Sequence, residues 1–176
     1  MKKYIYLLPI LAIALISCGG GDSADQTENT SEETTGMAGV LTDLSQYGMN
    51  YTIVLPDKKN VETEITATDW GSVEIRQGNM FMISIGFGEG DIDLLKFDLE
   101  EDLVYKSQIL EESPNHLVYK REIQDSGMEP EYHFLYVMRL TGDAIEIQNL
   151  KDATFNEESI KTMLQSAQSL KAKSES

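Results

Sequence analysis

Residues 73–87 read VEIRQGNMFMISIGF, and apolar side chains occupy every second position on either side of a short polar centre. The alternating set consists of Val73, Ile75, Phe81, Ile83, Ile85 and Phe87. Strict alternation puts all of these side chains on one face of an extended chain. Gln77-Gly78-Asn79, between the two halves, has the residue types of a tight turn. The stretch therefore predicts a β-hairpin made of Val73–Ile75 and Met80–Phe87, with one buried face.

The same alternation recurs on both sides of this hairpin. Upstream, Met49–Leu55 and Val61–Ala67 alternate on either side of a turn at Pro56–Asn60. Downstream, two further strand pairs are expected, each joined through Gly or Pro. They are Tyr105–Leu110 with His116–Gln124, around Ser113-Pro114-Asn115, and Tyr132–Leu140 with Ala144–Leu150, around Thr141-Gly142-Asp143. Such short links predict antiparallel pairing.

Two shorter helices are expected in the first two thirds of the chain. Asp91 is a natural N-cap, and apolar residues follow it at helical spacing. These are Ile92, Leu95, Leu99 and Leu103. Val40–Tyr47 (VLTDLSQY) is also predicted as a short helix, ended by Gly48.

The C-terminal segment carries the most complete helix signals. Asn156 can cap a helix that runs from about Glu157 to Lys171, and Phe155 and Ile160 have the spacing of a hydrophobic staple. Its apolar stripe consists of Ile160, Met163, Leu164, Ala167 and Leu170. This helix is expected to pack on the sheet through that stripe.

The order of elements is strands, one helix, strands, one helix. It predicts an α+β fold, a mainly antiparallel β-sheet flanked by helices. The apolar run FLYV at residues 134–137 indicates central strands covered on both faces. We expect a single folded domain over residues 37–171 and a frayed tail over residues 172–176.

The N-terminus has the features of a secretory signal peptide. Lys2 and Lys3 precede an apolar run, Ile5–Ile16, which contains 12 residues. A membrane-spanning helix needs about 20 apolar residues, so this run targets the chain rather than spanning a bilayer. Residues 1–17 are therefore expected to be removed.

Leu15-Ile16-Ser17-Cys18-Gly19 resembles the lipobox of bacterial lipoproteins, and Cys18 is the only cysteine in the chain. The resemblance implies that diacylglycerol is attached to the Cys18 sulfur, that cleavage precedes Cys18, and that the new amino terminus is acylated. Two or more acyl chains give stable membrane anchoring. The alternative is a plain secreted protein with an incidental free thiol.

Residues 18–36 combine the lipidated cysteine with a polar, acidic tether. From Gly19 to Gly36 the segment has five acids, no basic residue and no apolar residue larger than alanine, so it is expected to be disordered. Gly19 is not the aspartate that directs retention in the inner membrane among lipoproteins. The expected location is the cell envelope, on the outer membrane by preference.

The charge of the chain restricts its partners. The formal net charge is −16, and loss of Lys2 and Lys3 with the signal peptide would make it −18. Such a surface repels phosphate backbones and anionic lipid headgroups. Nucleic acid is therefore excluded as an expected partner, while cations, basic proteins and neutral molecules remain candidates.

Two further segments resemble the PsbP/Mog1/DcrB-like group. Tyr51–Pro56 (YTIVLP) is similar to its opening strand, and Ala144–Lys171 is similar to its closing strand and helix. The resemblance implies an α/β/α sandwich on an antiparallel sheet, and an accessory or binding role. The tryptophan that usually follows the first proline is not found there, since Trp70 lies far downstream.

His116 and His133 are the two histidines, and neither belongs to a catalytic motif. His133 could bind a metal with Glu131 and Glu129, but two scattered histidines lack the spacing of a zinc site. The favoured interpretation is an ordinary strand histidine beside a loop.

The loop Gly86-Phe87-Gly88-Glu89-Gly90 joins a strand to a helix, as phosphate-binding loops do. Its acids would repel an anion, so a flexible connection with an acidic helix cap is favoured. Asp91 and Asp93 have the spacing of two calcium ligands, but the remaining ligands of such a loop are missing.

Three more side chains are ambiguous. Met80 and Met82 fall on one strand face and could hold Cu(I), although packing in the core is the usual role of methionine there. Trp70 could be an exposed anchor for a partner or sugar, although a partly buried lid on the core is the favoured interpretation.

These observations predict a non-catalytic binding or accessory module, lipid-anchored in the envelope. The alternatives are a small-ligand or metal carrier, and, third, a hydrolase that uses carboxylates. Lipidation of Cys18 is the one site predicted; no catalytic, cofactor-binding or metal-binding residue is. The expected partners are the membrane, through lipid on Cys18, and an envelope protein.

Overall fold

The structure is a computed structural model that describes residues 38–173, and these residues belong to one compact unit. The predicted signal peptide, lipobox and tether, residues 1–36, lie outside the described residues. In the part that is described, no helix is both long enough and apolar enough to cross a membrane.

Ten strands and two α-helices make up the described chain. The strands are β1 Gly39–Asp43, β2 Tyr51–Pro56, β3 Thr63–Ala67, β4 Val73–Gln77, β5 Met82–Gly88, β6 Lys106–Ser113, β7 His116–Glu122, β8 Glu131–Arg139, β9 Ala144–Asn149 and β10 Lys171–Ala172. The helices are α1 Ile92–Glu101 and α2 Glu157–Gln168, and a 3₁₀ turn covers Ser45–Tyr47.

Seven strands form one antiparallel sheet in the order β3-β4-β5-β9-β8-β7-β6, and β1-β2-β10 form a second, smaller one. The hairpin predicted from residues 73–87 is confirmed as β4 and β5, with Ile75 opposite Ile83. Strand β9 pairs with β5 on one side and with β8 on the other. The β4–β5 hairpin therefore lies next to the β8–β9 hairpin in the sheet. The strands 105–124 and 132–150 are confirmed as β6 to β9.

The seven-stranded sheet has a buried cluster on each face. On β8, Phe134 belongs to the larger cluster, whereas Leu135 and Val137 belong to the smaller one. Adjacent strand residues point to opposite faces, so the two clusters lie on opposite sides of the sheet. The stripe of α2 and the small sheet complete the larger cluster, while Ile92, Leu95 and Leu99 of α1 cover the smaller one. The α+β class, with the C-terminal helix packed on the sheet, is confirmed.

The prediction of a short helix at Val40–Tyr47 is wrong over its first half. Gly39–Asp43 is a strand paired antiparallel with β2, from Gly39 opposite Pro56 to Asp43 opposite Thr52. Pairing with a strand that follows in sequence overrides the weak local preference of VLTD. Only Ser45–Tyr47 is helical, and Gly48 ends it with a φ of 87°, as its position predicted.

The C-terminal helix ends earlier than predicted. It stops at Gln168, and Lys171 and Ala172 pair with Thr52 and Tyr51 of β2. The Lys173 N–H also donates to the Asn50 carbonyl at 3.0 Å. The fraying expected for residues 172–176 therefore does not apply to Ala172 and Lys173, and residues 174–176 lie outside the described chain.

Two side chains expected in the core are exposed. Leu103 is 100% exposed because α1 ends at Glu101 and the chain turns away at Asp102. Phe87 lies on the buried face of its strand by alternation but is 63% exposed, since it sits near the end of β5.

Candidate functional site

His116 lies in the hairpin between β6 and β7 as the centre of a Ser–His–Glu chain of hydrogen bonds. Its Nδ1 is 2.7 Å from Ser113 Oγ, and its Nε2 is 2.8 Å from Glu111 Oε1. The imidazole is buried, with 8% of the residue exposed. These are the residue types and distances of an activated serine nucleophile.

Ser113 also closes the turn, and this limits its chemistry. Its Oγ accepts the N–H groups of Asn115 at 3.3 Å and His116 at 3.1 Å. A hydroxyl oxygen has two lone pairs, and both are engaged here. The Ser113 oxygen therefore stabilises the turn by accepting two backbone N–H groups. This geometry favours a structural role for the Ser–His–Glu hydrogen bonds.

His133 is a buried strand histidine, 5% exposed, on β8. Its Nδ1 lies 3.0 Å from Nδ2 of Asn149, and its ring is tilted against Tyr119 with centroids 5.3 Å apart. Burial lowers the pKa of His133, and the nearby positive charge of Arg121 lowers it further. The ring is therefore held in its neutral form.

The metal site considered for His133 is not assembled. Glu131 accepts from Arg121 Nε and lies 3.0 Å from Arg121 Nη2, while Glu129 is exposed in the preceding loop. A guanidinium bound to the carboxylate competes with a metal for the same oxygen atoms. Across residues 38–173, no three His, Cys, Asp or Glu side chains are grouped so that they could hold a metal ion.

The N-terminus of α1 borders an open cleft of about 520 Å³ lined by Glu89, Asp91, Asp93, Glu112 and Arg139, among others. Asp91 caps α1, as predicted, by accepting the Leu94 N–H at 2.9 Å. Gly90 has a φ of 67°, and a Cβ there would meet Val137 and Ala144 side chains at 2.7 and 2.8 Å. The glycine is thus explained by close packing, and the acids leave no favourable place for a phosphate.

The three ambiguous side chains, Met80, Met82 and Trp70, have different environments. Met82 packs against the larger core cluster, and its sulfur lies 3.4 Å from Arg76 Nη1, a contact that disfavours a bound cation. Met80 is 43% exposed. Trp70 is 78% exposed, so the interpretation as a lid on the core is wrong.

The outer face of α1 carries an exposed apolar pair. The helix buries or half-buries Ile92, Leu95 and Leu99, whereas Leu94 is 49% and Phe97 is 58% exposed. At 3.6 residues per turn, Leu94 and Phe97 lie together on the side opposite the packed stripe. Their neighbours on that side are Asp93, Asp98, Glu100 and Glu101. We call these six residues the α1 surface.

The α1 surface lies within the most acidic segment of the described domain. Residues 89–102 contain seven acids and one lysine, a formal charge of −6. Residues 38–173 contain 24 acids and 12 bases, a formal charge of −12. Half of the net charge of the described domain is therefore on this one segment. Lys96 is already paired, with its Nζ 2.7 Å from Glu112 and 3.7 Å from Asp93.

A second cleft, of about 600 Å³, lies between the C-terminal end of α1, the following loop and the start of β6. Leu103 and Val104, which is 64% exposed, form one wall. Both are held outward because Asp102 accepts the N–H groups of Val104 at 2.8 Å and Tyr105 at 3.0 Å. These bonds also lower the pKa of Asp102. The loop is thus a fixed turn that presents aliphatic side chains to solvent.

Sequence reasoning did not identify the α1 surface. The signal was available: Leu94 and Phe97 fall outside the stripe of Ile92, Leu95 and Leu99 in a helix that is otherwise acidic. Single exposed apolar residues are normal on a protein surface, but two that are one turn apart on the unpacked side of a helix form a small apolar patch. The buried bond of His133 had no comparable signal, because its partner Asn149 is brought to it by the strand register. The partners of His116 lie within five residues of it in the same hairpin.

The chain matches none of the protein-family models, curated proteins or solved structures with which it was compared. Its site must therefore be interpreted from its own residues.

Proposed function

We propose that this chain is a lipid-anchored cell-envelope protein whose folded domain is a non-catalytic binding or accessory module. The lipobox-like Leu15–Gly19 supports lipid attachment at Cys18, and Gly19 favours the outer membrane as the address. The acidic segment after Cys18 would serve as a tether that holds the domain clear of the headgroups. The expected partners are the membrane, through the lipid, and a protein of the envelope.

The observation that supports a binding role is the exposure of Leu94 and Phe97 on the α1 surface. Residues that serve the core of a surface helix lie in its packed stripe, and these two do not. Grouped apolar side chains with a polar border are typical of protein interaction sites. A non-catalytic role agrees with the turn function of the Ser113 hydroxyl.

The carrier alternative receives less support. A carrier of apolar ligands would need space between the large sheet and α2, but Ile160, Met163 and Ala167 are each 0% exposed there. These side chains pack into the same cluster as the sheet residues. A ligand at that interface would have to displace well-packed side chains, which costs free energy.

The binding role is tested by photo-crosslinking in cells of the protein's own host. A photoreactive amino acid is placed, one site at a time, at exposed positions around the full-length chain: Trp70, Phe97, Val104 and Met128. We expect at least one position to give the same envelope-protein adduct in repeated experiments. Absence of adducts from all four positions would argue against a binding module, and labelling of Ser113 by a fluorophosphonate would contradict the non-catalytic assignment.

A further inference from the structure

We propose that the α1 surface binds a basic, amphipathic segment of a partner protein. In this assignment, Leu94 and Phe97 contact apolar side chains of the segment, and the acids around them pair with its lysines or arginines. The inference rests on the proposed binding function and specifies the chemistry of the partner.

The apolar part of the interaction is supplied by a rigid helix. Phe97 projects from the middle of α1, whose packed side is fixed by the buried Ile92. The Asp91 carboxylate fixes the start of the helix through the Leu94 N–H. An aromatic side chain on a fixed helix loses little conformational entropy on binding, and such residues are enriched among those that dominate interface energies.

The charge of the surface selects the sign of the partner. The segment 89–102 has a formal charge of −6, and its single cation, Lys96, is engaged by Glu112. Asp98, Glu100 and Glu101 have no ion-pair partner within 4.0 Å among the described residues. Complementary charge steers association and disfavours wrong partners.

The same charge argues against other occupants of this face. A second copy of the chain would bring two segments together that each have a formal charge of −6. Anionic lipid and nucleic acid carry the same sign as the surface and would be repelled. A cationic polypeptide satisfies both the acids and the apolar pair, whereas a free metal ion would satisfy only the acids.

The neighbouring cleft extends the binding surface beyond the helix. Leu103 and Val104 continue the exposed apolar side chains past the end of α1. The cleft is also lined by Ser107, whose Oγ is buried and has no hydrogen-bond partner in the described part of the chain. A buried hydroxyl without a partner costs free energy that a polar group of a ligand can offset. The partner segment is therefore expected to reach the cleft.

The probe is a fluorescent peptide of about 14 leucine and lysine residues, with leucines at helical spacing. It is titrated against the unlipidated mature chain, residues 18–176 with Cys18→Ala, and binding is followed by fluorescence anisotropy. We expect saturable binding that weakens as salt is raised. A second peptide with serine in place of leucine controls for charge alone, and is expected to bind at least about tenfold more weakly.

Two double variants locate the site. Leu94→Ser with Phe97→Ser is expected to weaken binding of the leucine–lysine peptide by at least about tenfold. The matched control, Trp70→Ser with Met128→Ser, removes two apolar side chains that are at least as exposed, at 78% and 63%. It is expected to leave the affinity within about twofold. Circular dichroism of both variants checks that the fold is retained.

Three results would overturn the inference: no binding of the leucine–lysine peptide, equal binding of the serine peptide, or equal effects of the two double variants. The proposed function is judged separately by the cellular crosslinks. Recurrent adducts from Trp70 or Met128, with none from Phe97 or Val104, would leave a binding module in place but put its site elsewhere.

Discussion

Asn149 and His133 form a buried polar pair in the centre of the large sheet. Asn149 is 2% exposed, and its Oδ1 accepts the Phe134 N–H at 3.0 Å. Its Nδ2 lies 3.0 Å from His133 Nδ1 and also donates to the Leu150 carbonyl at 3.1 Å. For Nδ2 to donate to it, Nδ1 of His133 must be unprotonated. The bond and the burial therefore favour the same neutral ring.

The neutral His133 makes stability depend on pH. Its folded-state pKa lies below the ordinary 6.5, so the unfolded chain takes up the proton first as the pH falls. The contribution of the neutral His133 ring to the free energy of unfolding is fully present above about pH 6.5. It is lost as the pH falls from that value through the lower folded-state pKa. The predicted slope reaches at most about 1.4 kcal/mol per pH unit.

Urea unfolding at several pH values between about 7.5 and 5.5 measures this effect. His133→Gln is expected to reduce the loss of stability across this range, because glutamine does not titrate. An unchanged pH dependence in the variant would show that other groups, not His133, cause it. The charged groups nearest the ring are Arg121, Glu131 and Lys151.

At this scale, sequence reasoning predicted single side chains only where local chemistry determines them. Asp91 and Asn156 were predicted as helix caps, and both accept the N–H three residues ahead. Asn149 was not predicted, because two of its three partners, Phe134 and His133, lie on the neighbouring strand β8 and reach it only through the strand register. The third partner, the Leu150 carbonyl, belongs to the next residue in the chain. A buried asparagine has no local pattern that distinguishes it from an exposed one.

The C-terminal end of α2 is joined to β2 by two buried serines. Ser169 Oγ accepts the Val54 N–H at 2.8 Å, and Ser166 Oγ donates to the Val54 carbonyl at 2.6 Å. Strand β10 pairs with β2 only at Tyr51 and Thr52. The two serines form hydrogen bonds with the backbone of Val54, which lies just beyond that pairing. Side-chain hydroxyls thus continue the hydrogen bonding of the small sheet into the helix.

Ser169→Ala is expected to lower the free energy of unfolding by about 1–3 kcal/mol, because it leaves the partly buried N–H of Val54 without its acceptor. The matched control is Gln165→Ala, an exposed position on the same helix, with an expected change within about 0.5 kcal/mol. Urea denaturation measures both. Equal effects of the two substitutions would show that the Ser169 bond contributes nothing specific.

Elements were predictable where one face is consistently apolar. The hairpin 73–87 and the stripe of α2 follow from alternation and helical spacing, since burial enforces both periods. Gly39–Asp43 was missed because four of its five residues are exposed, so its strand conformation depends on pairing with β2 instead of on burial. The last turn predicted for α2, through Lys171, is wrong for the same reason. Lys171 and Ala172 are exposed residues of a short strand, whose conformation depends on pairing with β2.

Over the whole molecule, the dominant property is negative charge. The formal net charge of the whole chain is −16. Residues 38–173 carry −12, and half of this charge is on residues 89–102. Like charges held close together on a compact domain oppose folding, and salt screens them.

The melting temperature is therefore expected to rise by at least about 2 °C between about 0.01 M and 1 M sodium chloride, as the Debye length falls from about 30 Å to 3 Å. Asp98→Asn with Glu101→Gln is expected to reduce the rise, because both acids lie in the most charged segment. Differential scanning calorimetry measures both proteins. A melting temperature that falls with salt would mean that attractive ion pairs outweigh the repulsion.

The α+β class, the antiparallel sheet and the packing of α2 followed from the order and spacing of the elements. The candidate binding site did not, because a binding surface is defined by what the fold leaves exposed. Leu94 and Leu95 are adjacent in sequence and chemically identical, yet one is exposed and the other packs on the sheet. Only the rotation of α1 against β7 and β8 separates them.

The most direct measurement of the central claim is the intact mass of the protein extracted from membranes of its host, beside a Cys18→Ala variant. The account predicts that the wild-type protein lacks residues 1–17, carries the added mass of acyl chains and partitions with membranes, and that the variant does neither. If both proteins are soluble, unacylated chains, the lipid anchor is contradicted and Cys18 is a free thiol.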